Sequence, residues 1–333
     1  MSFINLPDLA AGDRVEHPFR VLSIEKKDGE HPRWVVSLGN ASGDIESGPI
    51  WERDGVAAML QGVAKGDVVQ VIGTIGEYRG KRQLTVTSLR PLPPGQIDRR
   101  QLVPSITAAA TEKYWDKLDA WRRDITAPRL KAVLALCFDD DDFRARFGEC
   151  PAAPKGHHAR LGGLLQHVSE VVYIGRHMAL AMRADVDLVV AAALLHDIGK
   201  LEAYNWSDSF EHTLVGTLHG HITLGVRMLE RRIAASGVQP CTPEELDLLE
   251  HFILSHHGTL EYGAAVRPAT LEAELIHFAD DTSAKGASFL EALGDASLFD
   301  GDGPVSSRRI WTLDRKIFRG AYDFGREATP PND

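Results

Sequence analysis

Residues of the types that bind divalent metals recur through the second half of this chain. Twelve of the 14 histidines fall between His157 and His277, and several of them interrupt apolar stretches. An imidazole or a carboxylate in apolar surroundings is unfavourable unless it is hydrogen-bonded or coordinates a metal. The candidates for such a role are His167, His196, Asp197, His221, His256, His257 and Asp280.

The pair His196-Asp197 follows an apolar run directly. All eight residues from 188 to 195 are apolar, which predicts a segment buried on nearly all sides. In isolation, the pair is typical of a structural helix end with a capping Asp, and one buried His is commonly a hydrogen-bonded core residue. Inward His or Asp residues on five successive predicted helices have no such simple explanation, so we predict a metal site.

The donor set indicates the class of metal. Imidazole nitrogen and carboxylate oxygen without thiolate suit a borderline or moderately hard divalent ion, which means Mn²⁺, Fe²⁺, Co²⁺ or Zn²⁺, with Mg²⁺ also admissible.

Helices must position these side chains. Apolar periodicity predicts helices at about 160–183, 186–199, 216–235, 243–257 and 268–285, and two or three more between 106 and 147. We expect the segment from Ser306 to Tyr322 to dock on this core. The whole of residues 105–325 is predicted to be one all-α domain.

The amino-terminal residues, 1–92, have a different pattern. Five short strand-like segments are separated by turn signals such as Asp28-Gly29 and Gly66-Asp67, with one short helix candidate before the fourth strand. This pattern predicts a small all-β barrel of the OB-fold type, with an SH3-like barrel as the alternative. Residues 93–104 are rich in proline and predict an extended linker.

Basic residues at one predicted hairpin of this barrel suggest a nucleic-acid surface. Arg79, Lys81 and Arg82 lie there, and Tyr78, Trp34 and Trp51 lie on nearby strand candidates. Cations beside aromatic rings can neutralise phosphates and stack bases of a single strand. The alternative is that the tryptophans fill the barrel and the charges are solvated turn residues.

Composition limits the remaining possibilities. A net charge of −10 argues against binding nucleic acid through bulk positive charge. The three cysteines form no CxxC pair, which is typical of a reducing compartment. The sequence shows neither a signal-peptide pattern nor an apolar run long enough for a membrane helix, so we expect a cytoplasmic protein without membrane contact. Oligomeric state stays open, and a homo-oligomer is admissible.

The motif order resembles that of a known superfamily. His167, His196-Asp197, His221, His256-His257 and Asp280 resemble the HD-domain metal-dependent phosphohydrolases, in the extended form that holds two metals. The longer strings HHARLGGLLQH, ALLHDIGK, HGHITLG, ILSHHG and FADD, together with the barrel-like module, resemble the YhaM family of 3′→5′ exoribonucleases. The first resemblance covers residues 157–285, and the second spans nearly the whole chain.

The resemblance implies a distribution of ligands. His167, His196, Asp197 and Asp280 would hold one metal. Asp197 would bridge to a second metal, and His221, His256 and His257 would complete that second site. Asp281 is the weaker candidate beside Asp280, because the Asp directly after Ala of the Ala-Asp pattern is the ligand in the superfamily.

Cations are also needed for the phosphate oxygens of such a substrate. Lys200, four residues after His196 on the predicted helix, is the first candidate. His157, His158 and Arg160 at the start of the domain come next. Their alternative is ordinary solvation at a helix end.

These observations predict a metal-dependent 3′→5′ exoribonuclease that acts on single-stranded RNA, with DNA as a second polymer, through attack of metal-activated water on phosphorus. Asp197 and Lys200 would be its catalytic residues. Two alternatives remain. One is a phosphohydrolase of a small nucleotide, and the other is a non-catalytic nucleic-acid-binding protein with a structural metal.

Overall fold

The computed structural model describes residues 3–52, 55–93, 95–207, 210–320 and 322. Its amino-terminal part is an antiparallel sheet, and a mainly helical region follows. The strands are β1 (Arg14–Lys27), β2 (Arg33–Asn40), β3 (Gly43–Glu46), β4 (Ile50–Trp51), β5 (Val68–Tyr78) and β6 (Lys81–Pro91), with helix α1 (Gly55–Met59) between β4 and β5.

The sheet has the order β3-β2-β1-β5-β6, and β4 pairs with β2 outside that path. A parallel bridge between Ser47 and Leu84 joins its two ends, and the Gly48 N–H donates to the Leu84 carbonyl at 2.9 Å. Alternating strand residues such as Val15, Phe19 and Val69 fill the interior. The sheet is therefore curved round onto itself, and the side chains that face its interior alternate along the strands.

Ten helical segments, α2 to α11, follow in the part of the chain that the structure describes. They are α2 (Arg99–Leu102), α3 (Ala108–Asp124), α4 (Pro128–Phe138), α5 (Asp141–Glu149), α6 (Gly163–Met182), α7 (Val186–Leu195), α8 (Lys200–Ala203), α9 (Leu214–Ser236), α10 (Pro243–Ser255) and α11 (Leu271–Gly294). The all-α prediction is wrong in one respect, because strands β7 (Tyr204–Asn205) and β8 (Glu211–His212) form a two-stranded sheet here.

Helix α7 lies at the centre of the helical region. Asp185 caps it by accepting from the Leu188 N–H at 3.1 Å, and its residues from Val189 to Leu195 are all buried. It packs against α4, α6, α10 and α11. Its apolar character on all sides follows from this position, since there is no solvent-facing side to carry polar residues.

The helix predicted at 186–199 ends earlier than expected. The His196 N–H still donates to the Ala192 carbonyl, but the Ile198 and Lys200 N–H groups donate to Leu195 and Asp197, three residues back. Such bonds tighten the backbone relative to an α-helix. Lys200 therefore begins α8 and is not on the helix that ends before His196.

The carboxyl-terminal segment docks on the helices, as predicted. Ile310, Leu313 and Ile317 are buried together with Leu298 and Phe299 in a small apolar cluster. The segment has no α-helix among its described residues. The predicted domain end at 325 lies outside the described residues.

The predicted linker contains helix α2 and contacts the sheet region. The Gln101 carbonyl of this helix accepts from the Ala41 N–H at 3.0 Å. In the described part of the chain, no helix has both the length and the apolar content required to cross a membrane.

Candidate metal centre

Five helical elements bring the seven predicted ligands together. Helix α6 carries His167, the turn after α7 carries His196 and Asp197, and α9 carries His221. The end of α10 supplies His256 and His257, and α11 supplies Asp280. The ligand atoms of His167, His196 and Asp197 lie within 4.8 Å of one another. Those of His221, His256 and His257 form a second group with the same spacing limit.

The two carboxylate oxygens of Asp197 face different histidines. Oδ2 lies 3.1 Å from His196 Nε2 and 3.4 Å from His167 Nε2. Oδ1 lies 3.5 Å from His221 Nε2 and 3.7 Å from His256 Nε2. The two oxygens of this carboxylate therefore face two different groups of histidines.

The structure distinguishes the two neighbouring aspartates on α11. Asp280 Oδ1 lies 3.0 Å from His167 Nε2, whereas Asp281 Oδ2 pairs with Lys285 Nζ at 2.7 Å. Asp280 therefore faces the histidines, and Asp281 is held by a cation one helical turn away.

Hydrogen bonds fix the orientation of the imidazoles. The Nδ1 atoms of His196, His256 and His257 each lie 2.7 Å from a backbone carbonyl oxygen, those of Ala193, Ile253 and Tyr262 respectively. A carbonyl only accepts, so each Nδ1 carries the proton. The Nε2 lone pair of each ring is then free to bind a metal, as in protein sites where a second contact sets the tautomer.

His167 is oriented by side chains in place of a carbonyl. Its Nδ1 lies 2.9 Å from Ser283 Oγ, and Ser283 donates to Glu170 Oε2 at 2.7 Å. Ser283 and Glu170 are not among the site residues predicted from the sequence. The available signal was spacing, because each lies three residues after a predicted ligand on the same helix, Asp280 or His167.

Unpaired buried atoms provide a test of whether these residues fit a metal. His221 Nε2, His256 Nε2 and Asp197 Oδ1 are buried and have no hydrogen-bond partner among the described residues. Buried polar atoms are normally paired, and a divalent ion between them would satisfy all three. The donor atoms and their geometry thus fit a divalent metal ion.

Burial and hydrogen bonding shift the pKa values of the buried histidines in opposite directions. Desolvation lowers the pKa of His221 to about 3 and that of His256 well below its ordinary value, so both rings are neutral at pH 7. Burial also lowers the pKa of His167, but hydrogen bonds with Asp197 and Asp280 outweigh it and raise the pKa to about 9. A metal at His167 must therefore displace a proton.

Glycines allow the close approach of the ligand-bearing elements. A Cβ atom on Gly199 would lie 2.0 Å from the His221 carbonyl oxygen and 2.3 Å from the Gly225 nitrogen. The turn that carries Asp197 therefore packs directly on the backbone of α9. Within α9, Gly220 has φ of 70° and breaks the helical path immediately before His221.

Comparison with known proteins places this chain in a family. A family model described as HD domain matches residues 164–285. Relatives named 3′-5′ exoribonuclease YhaM are 30% identical in Bacillus velezensis and in Bacillus subtilis strain 168, over 82% of this chain and 86% of each relative. The relative of that name from Oceanobacillus iheyensis is 32% identical over 86% of this chain and 87% of its own length. This chain belongs to the YhaM family.

In this YhaM-family chain, Lys200 lies at the metal centre but does not extend to solvent. Its side chain is only 7% exposed, and Nζ lies 2.6 Å from Asp197 Oδ2. Burial by itself lowers the pKa of Lys200, but the nearby carboxylate of Asp197 outweighs it and raises the pKa. Lys200 is therefore a buried cation paired with the Asp197 carboxylate.

The other predicted phosphate contacts of the helical domain separate into two groups. His157 lines the same cavity as Lys200, His221 and Asp280, a cavity of about 830 Å³. His158 and Arg160 are engaged elsewhere, with His158 Nε2 at 3.1 Å from Glu170 Oε2 and Arg160 Nη2 at 2.7 Å from Glu291 Oε1.

The basic residues of the amino-terminal hairpin also divide. Arg79 is exposed with φ of 53°, its guanidinium stacks over Tyr78, and Lys81 is exposed as well. Arg82 instead donates to the carbonyls of Leu6, Pro7 and Leu9, and these bonds join the hairpin to the start of the chain.

Proposed function

We propose that this chain is a metal-dependent 3′→5′ exoribonuclease that shortens single-stranded RNA, with single-stranded DNA as a second polymer. The observation that carries the proposal is Asp197, whose two oxygens face separate histidine groups in a chain that belongs to the YhaM family. Its relatives are named 3′-5′ exoribonuclease, and this name supplies the polymer and the polarity of the proposal.

We assign the ligands as the resemblance implies. His167, His196 and Asp280 share one ion with Asp197, and His221, His256 and His257 share the other with the same carboxylate. Bound divalent ions would lower the pKa of a water molecule and so supply the nucleophile that attacks phosphorus. Mn²⁺, Fe²⁺, Co²⁺ and Zn²⁺ suit this donor set, and Mg²⁺ is admissible.

The protein side chains have further tasks in this reaction. Lys200 holds Asp197 in place through its 2.6 Å contact, and its charge faces the cavity where the phosphate must lie. His157 lines the same cavity and is neutral at pH 7, because burial lowers its pKa to about 3. It can therefore contact a phosphate as a hydrogen-bond donor without adding charge.

We propose that residues 1–92 form an OB-fold that captures the strand, joined through 93–104 to the helical domain at 105–325. Support comes from the topology, with β1 between β2 and β5 and a parallel bridge from Ser47 to Leu84. This is compatible with a five-stranded Greek-key barrel. Arg79, Lys81 and the Tyr78 ring would contact the nucleic acid, and Arg82 would support the hairpin.

One observation favours a second candidate, a phosphohydrolase of a small nucleotide. The cavity beside the ligands measures about 830 Å³, which is the size that encloses a small molecule. A cavity of this volume accepts a single nucleotide as readily as the end of a strand.

A 5′-labelled single-stranded RNA separates the two candidates. With Mn²⁺ present, we expect a ladder of products that shortens from the 3′ end, and no shortening after EDTA treatment. Hydrolysis of free nucleotides without shortening of the RNA would favour the small-nucleotide enzyme. We also propose that the activity is cytoplasmic. The oligomeric state can be measured by sedimentation.

A further inference from the structure

A short loop forms one wall of the cavity that contains the metal centre. The Ile310 N–H donates to the Arg315 carbonyl at 2.8 Å and closes the loop. Ile310 and Leu313 are buried in the apolar cluster with Leu298 and Phe299. The loop is thus anchored on both sides, and its position relative to α11 is set by packing.

Trp311, at the tip of this loop, is 74% exposed, whereas Ile310 is 8% and Leu313 is 3% exposed. One edge of its indole lies against the backbone of Gly156, since a Cβ atom there would be 3.4 Å from Cη2 of the ring. Tryptophan is among the residues most buried on average. This loop therefore holds a large aromatic surface open to solvent at a defined place.

That place adjoins the metal centre. Gly156 precedes His157, whose ring centroid is 5.8 Å from that of His167. Trp311 lines the same cavity as His221, His257 and Asp280. A substrate bound at these ligands therefore lies in the same cavity as the exposed indole.

Two cations accompany Trp311 on this wall. Lys155 and Arg315 both line the cavity, and neither forms an ion pair within the described part of the chain. The Arg315 Nε–H donates to the Leu313 carbonyl at 3.0 Å, which orients the guanidinium. A nucleotide has an anionic phosphate and a flat aromatic base. In a protein with a net charge of −10, the unpaired cations can contact the phosphate and the exposed indole can contact the base.

We propose that Trp311 stacks on the base of the 3′-terminal nucleotide, with Lys155 and Arg315 facing its neighbouring phosphate. The inference rests on the proposed function and assigns a nucleotide subsite to it. Every base has a π-face, so stacking on an indole holds the strand end whatever its sequence. The subsite would position the terminal phosphodiester without reading the base.

The experiment compares two RNA oligonucleotides that differ only in the 3′-terminal residue, which has its base in one and lacks it in the other. Release of that residue is measured as kcat/KM with Mn²⁺ for the wild-type protein, Trp311→Ala and Trp311→Phe. Affinity is measured in parallel by fluorescence anisotropy in EDTA. Tyr322→Ala is the matched control, because Tyr322 is also exposed and stacks on Phe318.

We expect the wild-type protein to prefer the complete oligonucleotide by about 10-fold, the scale of one base-aromatic stack. Trp311→Ala should remove the preference, Trp311→Phe should keep part of it, and Tyr322→Ala should keep all of it. If Trp311→Ala degrades RNA with the preference intact, the subsite is wrong and the proposed function stands. If the wild-type protein does not degrade either RNA, the proposed function and this inference both fail.

Discussion

Lys200 Nζ and Asp197 Oδ2 lie 2.6 Å apart, and both side chains are buried. The pair joins the carboxylate between the two histidine groups to the first residue of α8. A buried ion pair broken on one side leaves an uncompensated charge, which is strongly destabilising. Lys200 therefore has a structural task in addition to the phosphate contact that the sequence predicts.

Replacing Lys200 by Ala should lower the free energy of unfolding of the metal-free protein by about 3–5 kcal/mol, the usual cost of breaking a buried pair. Saturating Mn²⁺ should reduce this loss, because the ions compensate the charge of Asp197. Urea denaturation in EDTA and in Mn²⁺ measures both values. Lys285→Ala, which breaks the exposed pair with Asp281, is the control and should cost less than about 1 kcal/mol.

Asp197→Asn should abolish RNA hydrolysis and remove at least one metal ion per chain. The reason is that both of its oxygens face ligand histidines, so losing the charge weakens both sites at once. Mass spectrometry of metal content and initial rates on labelled RNA check this prediction. Two retained ions with normal turnover would show that the carboxylate does not bridge.

Ser283→Ala should weaken metal binding by about 10–100-fold, the usual effect of losing a group that orients a ligand. Ser283 connects His167 Nδ1 to Glu170, and without it the ring loses its orientation. Titration of the metal-free protein with Mn²⁺ measures the affinity. Ser169→Ala is the control, because Ser169 is also buried but lies on α6; it should leave the affinity near that of the wild-type protein. An equal loss in this variant would contradict the orienting role of Ser283.

Glu170 should make stability dependent on acidic pH. Burial by itself raises its pKa, but bonds with His158, Ser283 and Gln166 outweigh burial and lower the pKa from 4.5 to about 2. The unfolded chain then binds the proton more tightly, so this stabilisation is complete above pH 4.5 and is lost toward pH 2.

The measurement for Glu170 compares the wild-type protein with Glu170→Gln. In EDTA, the difference between their unfolding free energies should be largest above about pH 5 and shrink as the pH falls. A difference that is constant from pH 7 to pH 3 would mean that the carboxylate charge does not contribute.

The hairpin cations should divide into two classes. Arg79→Glu with Lys81→Glu should weaken binding of long single-stranded RNA and make the slope of log K against log salt shallower by about 1.4, since each phosphate contact contributes about 0.7. Metal content should not change. Arg82→Ala should mainly lower the melting temperature, because Arg82 bonds to carbonyls of the amino-terminal segment. An unchanged salt slope in the double variant would exclude the capture role.

Much of the site followed from local sequence properties. Apolar periodicity predicted the five ligand-bearing helices, and residue type predicted which positions on them would be inward and polar, such as His167 and His221. Alternation in residues 1–92 predicted the strands of the sheet. These features are local, because a helix or strand face is determined by spacings of a few residues.

Contacts between distant segments were decided only by the tertiary structure. Local spacing could not show that Arg82 bonds to Leu6 and Leu9, that His158 pairs with Glu170, or that Trp311 lies against Gly156. Lys200 differs from these, because its partner Asp197 is only three residues away. Packing of the surrounding elements decided that this pair is buried. Spacing determines which side chains share a face, whereas packing of separate elements determines which atoms they meet.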